Sequence, residues 1–223
     1  MNATHSLVQP IVLLVDKNDP ASHRDSILAA AVASVEAYAK ILGPSVVCHE
    51  SWTQWLSGRF TKSVRRADLK AFARLAADDT RKNESLVTIG KAKAMAYLPQ
   101  SYAEMPKALT RLQVSGTDLP HEPVTTSSRQ RSGDPIIVLN GALGMSTGKS
   151  AAQAAHALFA WQLNRGLDDP ELASLQLRST DLIIASAEEF ITLRTCAAGP
   201  LIVDAGLTEI APDTATAFVI ERP

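Results

Sequence analysis

The sequence predicts an α/β protein made of two similar small domains, and three observations carry that reading. A short apolar run followed by an alanine-rich helix occurs twice, as Gln9-Pro-Ile-Val-Leu-Leu-Val15 and as Asp134-Pro-Ile-Ile-Val-Leu139. A polar stretch rich in proline, glycine and hydroxyl residues separates the two. The 223 residues, 46% hydrophobic and 20% charged, suffice for one large or two small soluble cores.

The elements follow in order. Gln9–Val15 is a buried strand by its apolar run. Asp25–Lys40 has apolar residues at 27, 28, 31, 32, 35 and 38, the 3.6-residue period of a helix. Residues 116–133 read as a linker between domains at 1–115 and 134–223. Chance likeness between βα units remains the alternative to an internal duplication.

In the second half, the strand Ile136–Leu139 runs into Leu143-Gly-Met-Ser-Thr-Gly-Lys-Ser-Ala-Ala-Gln-Ala-Ala-His-Ala157. This opens a helix through a glycine-bearing turn and sets Lys149, Gln153 and His156 on one face at i, i+4 and i+7. Free backbone N–H groups and the positive end of the helix dipole gather at such a terminus, and Lys149 adds a full charge. The expected ligand is an anion, or an oxygen that becomes anionic during a reaction. Gly148-Lys149-Ser150 matches the end of a phosphate-binding P-loop, but that loop needs glycine at position 143, where this chain has leucine.

Two motifs in order resemble the archaeal and eukaryotic (second) type of peptidyl-tRNA hydrolase. The first comprises Met145, Gly148-Lys149, Ala151-Ala152-Gln153 and His156-Ala157; the second is Leu201-Ile-Val-Asp-Ala-Gly-Leu-Thr-Glu-Ile-Ala-Pro-Asp-Thr-Ala-Thr216. The resemblance covers residues 134–223. It implies a mixed sheet of about four strands with two main helices per half; in the first half Trp55–Val64 resembles the family's entry to its second strand, Ala67–Ala77 its second helix, and Leu86–Ile89 would be the third strand. Because the family commonly works as a homodimer, it also implies a pseudo-dimer within one polypeptide, acting as a monomer. The substrate it implies is peptidyl-tRNA, cleaved at the ester joining the peptide to the 3′ ribose. The alternative is a non-catalytic binding or regulatory protein that kept the fold.

Ester hydrolysis needs a positioned water, a group that takes its proton, and stabilisation of an oxyanion. The expected site residues are Lys149 for the oxyanion or terminal phosphate, Asp204 as base or water-holder, and Gln153 to orient Asp204 or the ester carbonyl. Thr208 and Thr216 are expected as hydrogen-bond donors. The competing structural roles are a turn cap for Asp204 and a strand residue for Thr216. His156 reads as a satisfied core histidine.

Departures surround the site: Gly144 and Thr147 replace lysines, Leu207 an arginine, Glu209 a glutamine and Asp213 a glycine. Each change removes positive charge or adds negative charge, which weakens affinity for a polyanion. In the first half, aligning Ile11 with Ile136 sets Arg24 opposite Lys149 and Leu28 opposite Gln153, and Ile89 stands where the second half has Asp204. Chemistry is therefore expected in the second half only.

Net charge is −1, with 15 basic against 10 acidic residues in 1–115 and 5 against 11 in 133–223. The basic run Arg59, Lys62, Arg65, Arg66, Lys70 and Arg74 reads either as an RNA platform or as a solvated face without stacking aromatics. Cys48 and Cys196 lie far apart without metal-ligand spacing, and read as buried free thiols of a cytoplasmic protein. No cofactor and no metal are expected. Apolar runs fall short of the ~20 residues a membrane span needs, and the start does not read as a signal peptide.

Overall fold

The computed structural model describes residues 7–41, 50–58, 60–78, 85–121, 131–165, 177–206 and 208–223. Expectations about Cys48, Arg59, Leu207 and linker positions 122–130 fall outside these residues. Two four-stranded mixed sheets each have helices against them. The first half contains β1 (Gln9–Leu14), α1 (His23–Ala39), α2 (Glu50–Leu56), β2 (Lys62–Ala67), α3 (Leu69–Ala76), β3 (Ser85–Ile89), β4 (Ala92–Ala96) and α4 (Lys107–Thr110). The second contains β5 (Pro135–Asn140), α5 (Thr147–Arg165), β6 (Asp181–Ala185), α6 (Ala187–Leu193), β7 (Ile202–Asp204) and β8 (Thr214–Glu221).

The sheets share one topology. Their orders are β2-β1-β4-β3 and β6-β5-β8-β7. In each, the first pair is parallel and the other two pairs antiparallel. The parallel strands are joined by a crossover that contains a helix, the usual connection for such a pair.

Strand alternation sorts the apolar residues into layers. Ile11 and Leu13 of β1, with Ile137 and Leu139 of β5, join a single core with α1, α2 and α5. Val8 and Val12 face away, packing with Phe72, Leu75 and Leu109 of α3 and α4. Ile136 and Val138 likewise pack with Phe190 of α6. The helices α1 and α5 thus lie between the two sheets and bury alanine-rich faces against each other. Small side chains let these helices approach closely, and both are buried nearly all round.

This layering corrects the alignment of the halves. Ile11 faces the shared core and Ile136 faces outward, so Ile11 corresponds to Ile137. A shift of one residue moves a strand's side chains to the other face, and burial fixes the register. The helices have their own anchor. Ser22 accepts the N–H of Asp25 at 3.1 Å as Ser146 accepts that of Lys149 at 3.3 Å. Asp25, not Arg24, is therefore opposite Lys149, and Ala29, not Leu28, is opposite Gln153. Arg24 crosses to the other half, where its guanidinium pairs with Asp181 of β6, which Arg222 also contacts at 3.0 Å.

The segment after residue 115 begins as a packed strap rather than a solvated chain. Thr117 and Leu119 are buried. Thr117 O accepts the N–H of Gly148 at 3.1 Å and Pro120 O accepts that of His23 at 2.8 Å, so the strap caps the first turns of both α5 and α1. Cys196, expected to be buried, is exposed. Among the described residues no helix is long and apolar enough to cross a membrane.

Candidate active site

The first turn of α5, the end of β7, the loop 205–213 and β8 meet at one place. Four residues per near-turn put Lys149 and Gln153 on the same face of α5, and that face packs toward β7 and β8. Lys149 Nζ pairs with Asp204 Oδ2 and donates to Thr208 Oγ1 at 2.8 Å. Gln153 Nε2 donates to the same Asp204 Oδ2 at 2.7 Å. Thr216 Oγ1 lies 2.7 Å from Gln153 Oε1 and 3.1 Å from Ile202 O; its one hydrogen goes to the nearer amide oxygen. The five expected residues, Lys149, Gln153, Asp204, Thr208 and Thr216, therefore form one hydrogen-bonded cluster.

Asp204 also does what its structural alternative required. Its Oδ1 accepts the N–H of Gly206 at 2.8 Å, an Asx turn that starts the loop. Gly206 has φ +74°, and a Cβ there would sit 2.5 Å from Pro212 N, so only glycine closes this loop. Asp213 N donates to Asp204 O at 2.8 Å, and Asp213 itself has φ +59°. The aspartate thus keeps the left-handed backbone that a glycine at this place would adopt freely. With Lys149 and Asp204 side chains only 11% and 8% exposed, the ion pair is largely removed from water.

Several of the N–H groups expected to be free at the α5 terminus are taken within the protein. Ser146 N donates to Glu209 Oε2 at 3.0 Å and Ser146 Oγ to Oε1 at 2.6 Å. Gly148 N is taken by the strap, and Lys149 N by Ser146. The protein's own Glu209 carboxylate sits where an anion was expected. Sequence reasoning noted Glu209 only as a lost glutamine. Ser146 ahead of the helix was a capping signal, but its carboxylate partner lies 63 residues away.

Thr147 has a different task from the lysine it replaces. It is fully buried, and its hydroxyl accepts Leu119 N at 2.9 Å and contacts His23 Nδ1 at 2.9 Å. A lysine ammonium would be buried at the seam between halves. His156 is half-buried against Phe60. Burial, then the nearby charges of Lys62 and Lys149, hold its imidazole well below the ordinary range and keep it neutral.

Among its described residues, the basic run does not present one continuous exposed face. Lys62 lies over the rings of Trp55 and Phe159, 4.2 Å from each, and burial lowers its pKa. Arg65 is buried and donates to Leu109 O at 3.2 Å. Arg66 is tied to Gly116 O at 2.8 Å. Lys70 and Arg74 are left on an exposed face.

Among the described residues of the first half the equivalent cluster is absent: Asp25, Ala29 and Ile89 stand where Lys149, Gln153 and Asp204 do. The fold and site thus define an α/β domain whose mixed sheet and first helix hold a lysine–carboxylate pair oriented by glutamine and threonine. Residues 135–222, in the C-terminal half, match the family model described as Peptidyl-tRNA hydrolase PTH2. The N-terminal half matches no family model. No curated protein and no solved structure matches the chain.

Proposed function

We propose that residues 134–223 are the working half of a peptidyl-tRNA hydrolase-like esterase of the cytoplasm, which cleaves the ester between a peptide and the 3′ end of tRNA. Residues 1–115 are read as a degenerate copy that completes a pseudo-dimer, joined through 116–133. The observation that carries the reading is the setting of Lys149. Its ammonium has three donors; Asp204 and Thr208 take two, and the third is left for a substrate oxygen. A donor fixed before the reaction stabilises a developing oxyanion without reorganising. Asp204, held through both oxygens, positions the lysine and offers its remaining lone pairs to an attacking water. Gln153 and Thr216 position Asp204.

A second reading, a binding or regulatory protein without turnover, is favoured by Glu209, whose carboxylate takes the Ser146 N–H and hydroxyl at the helix terminus. The deciding experiment is release of tRNA from a peptidyl-tRNA by the purified chain, with an unblocked aminoacyl-tRNA as control. Release that disappears in Lys149→Ala supports the esterase. Binding of peptidyl-tRNA without release supports the second reading.

A further inference from the structure

A second cluster of chemically capable side chains lies at the seam between the halves, away from the Lys149–Asp204 pair. The strap brings Asp118 and His121 to His23 at the start of α1. One ligand atom from each residue lies within 4.8 Å of those from the other two. The His23 and His121 rings stack with centroids 4.0 Å apart and 23° between planes. His23 is buried, whereas Asp118 and His121 are exposed. A cleft of about 60 Å³ adjoins the imidazoles and is lined also by Asn140, Gly144 and Ser150. The Asn140 Oδ1 atom is buried without a hydrogen-bond partner.

We propose that His23, Asp118 and His121 bind a divalent transition-metal ion of the zinc class, with the remaining coordination position open to water from the adjoining cleft. Two imidazoles and one carboxylate suit such an ion, and three protein ligands with a free position make a usual open site. Thr147 supplies the outer partner. Its hydroxyl holds His23 Nδ1 at 2.9 Å, which orients the ring and leaves Nε2 for the ion. The same hydroxyl reaches Asp118 Oδ1 at 3.5 Å. Two helix N-termini point at this place, and dipoles alone would favour an anion. The carboxylate of Asp118 reverses that preference, and strap carbonyls already occupy the N–H groups of His23 and Gly148. An ion here would tie α1 to the strap that caps α5, clamping the two halves together.

The test is a calorimetric titration of the metal-stripped full-length chain with zinc, together with its melting temperature and the visible spectrum on adding cobalt(II). The expected result is one ion per chain, a rise in melting temperature and intense cobalt bands. His121→Ala and Asp118→Asn, both at exposed positions, should each weaken binding by about tenfold or more. Cys196→Ser, which removes the exposed thiol, should leave it unchanged. No binding, or stoichiometric binding that survives His121→Ala, overturns the proposal. Loss of binding in Cys196→Ser overturns it as well, by assigning the metal to the thiol.

Discussion

The hydroxyl of Thr216 donates to Oε1 of Gln153 at 2.7 Å, and this fixes which end of the amide faces Asp204. With the oxygen committed to Thr216, the NH₂ group is presented to the carboxylate, 2.7 Å from Oδ2. The threonine thus reaches the ion pair through one intermediate. Thr216→Val should release the amide, leave buried polar atoms unpaired and cost about 1–3 kcal/mol of stability. Turnover should fall with it, and Thr216→Ser should restore both. Denaturant unfolding and hydrolysis rates, measured on the same preparations, check this.

Lys149→Ala should cost about 2.7–4 kcal/mol of transition-state stabilisation, a typical loss for one oxyanion donor and roughly a hundredfold to a thousandfold in rate. Single-turnover rates at saturating peptidyl-tRNA give the number directly. A loss that appears only in KM would make Lys149 a phosphate contact instead.

Arg24→Ala should behave differently, because Arg24 joins α1 to Asp181 of the other half. Its removal is expected to cost about 1.5–3 kcal/mol of stability, the range for hydrogen bonds to charged groups. The chemical step should be unchanged. Paired unfolding and single-turnover measurements on the Arg24 and Lys149 variants separate the two roles.

Glu209→Gln should loosen the carboxylate's hold on Ser146 and raise affinity for a polyanionic substrate. A charge at a helix terminus is worth about 0.3–1 kcal/mol, so KM should fall by up to about fivefold with kcat little changed. The gain should shrink at high salt. Titrating KM against salt for both proteins checks the expectation.

Acid should destabilise the fold through His156. Its folded pKa is depressed, so the unfolded chain takes up a proton that the folded chain refuses as pH falls below 6.5. Stability contributed by the neutral imidazole is present above that value and lost below it. Urea unfolding between pH 7.5 and 5 should show the decline, and a His156→Phe variant that remains folded should lessen it, leaving the share of His23, whose pKa burial lowers to about 4.

Much of the site was legible because its parts are local. The i, i+4 spacing that pairs Lys149 with Gln153 is a property of any helix, and Asp204 directly ends an apolar strand. The apolar runs placed β1 and β5, and the 3.6-residue period placed α1, to within a few residues. Tertiary structure alone decided the rest. The one-residue slip that equates Ile11 with Ile137 comes from which face each sheet buries. The hold of Glu209 on Ser146, the tie from Arg24 to Asp181 and the meeting of His23 with Asp118 and His121 join residues far apart in sequence. No periodicity encodes such contacts, because they exist only once two sheets have docked on a shared pair of helices and fixed which distant side chains face one another.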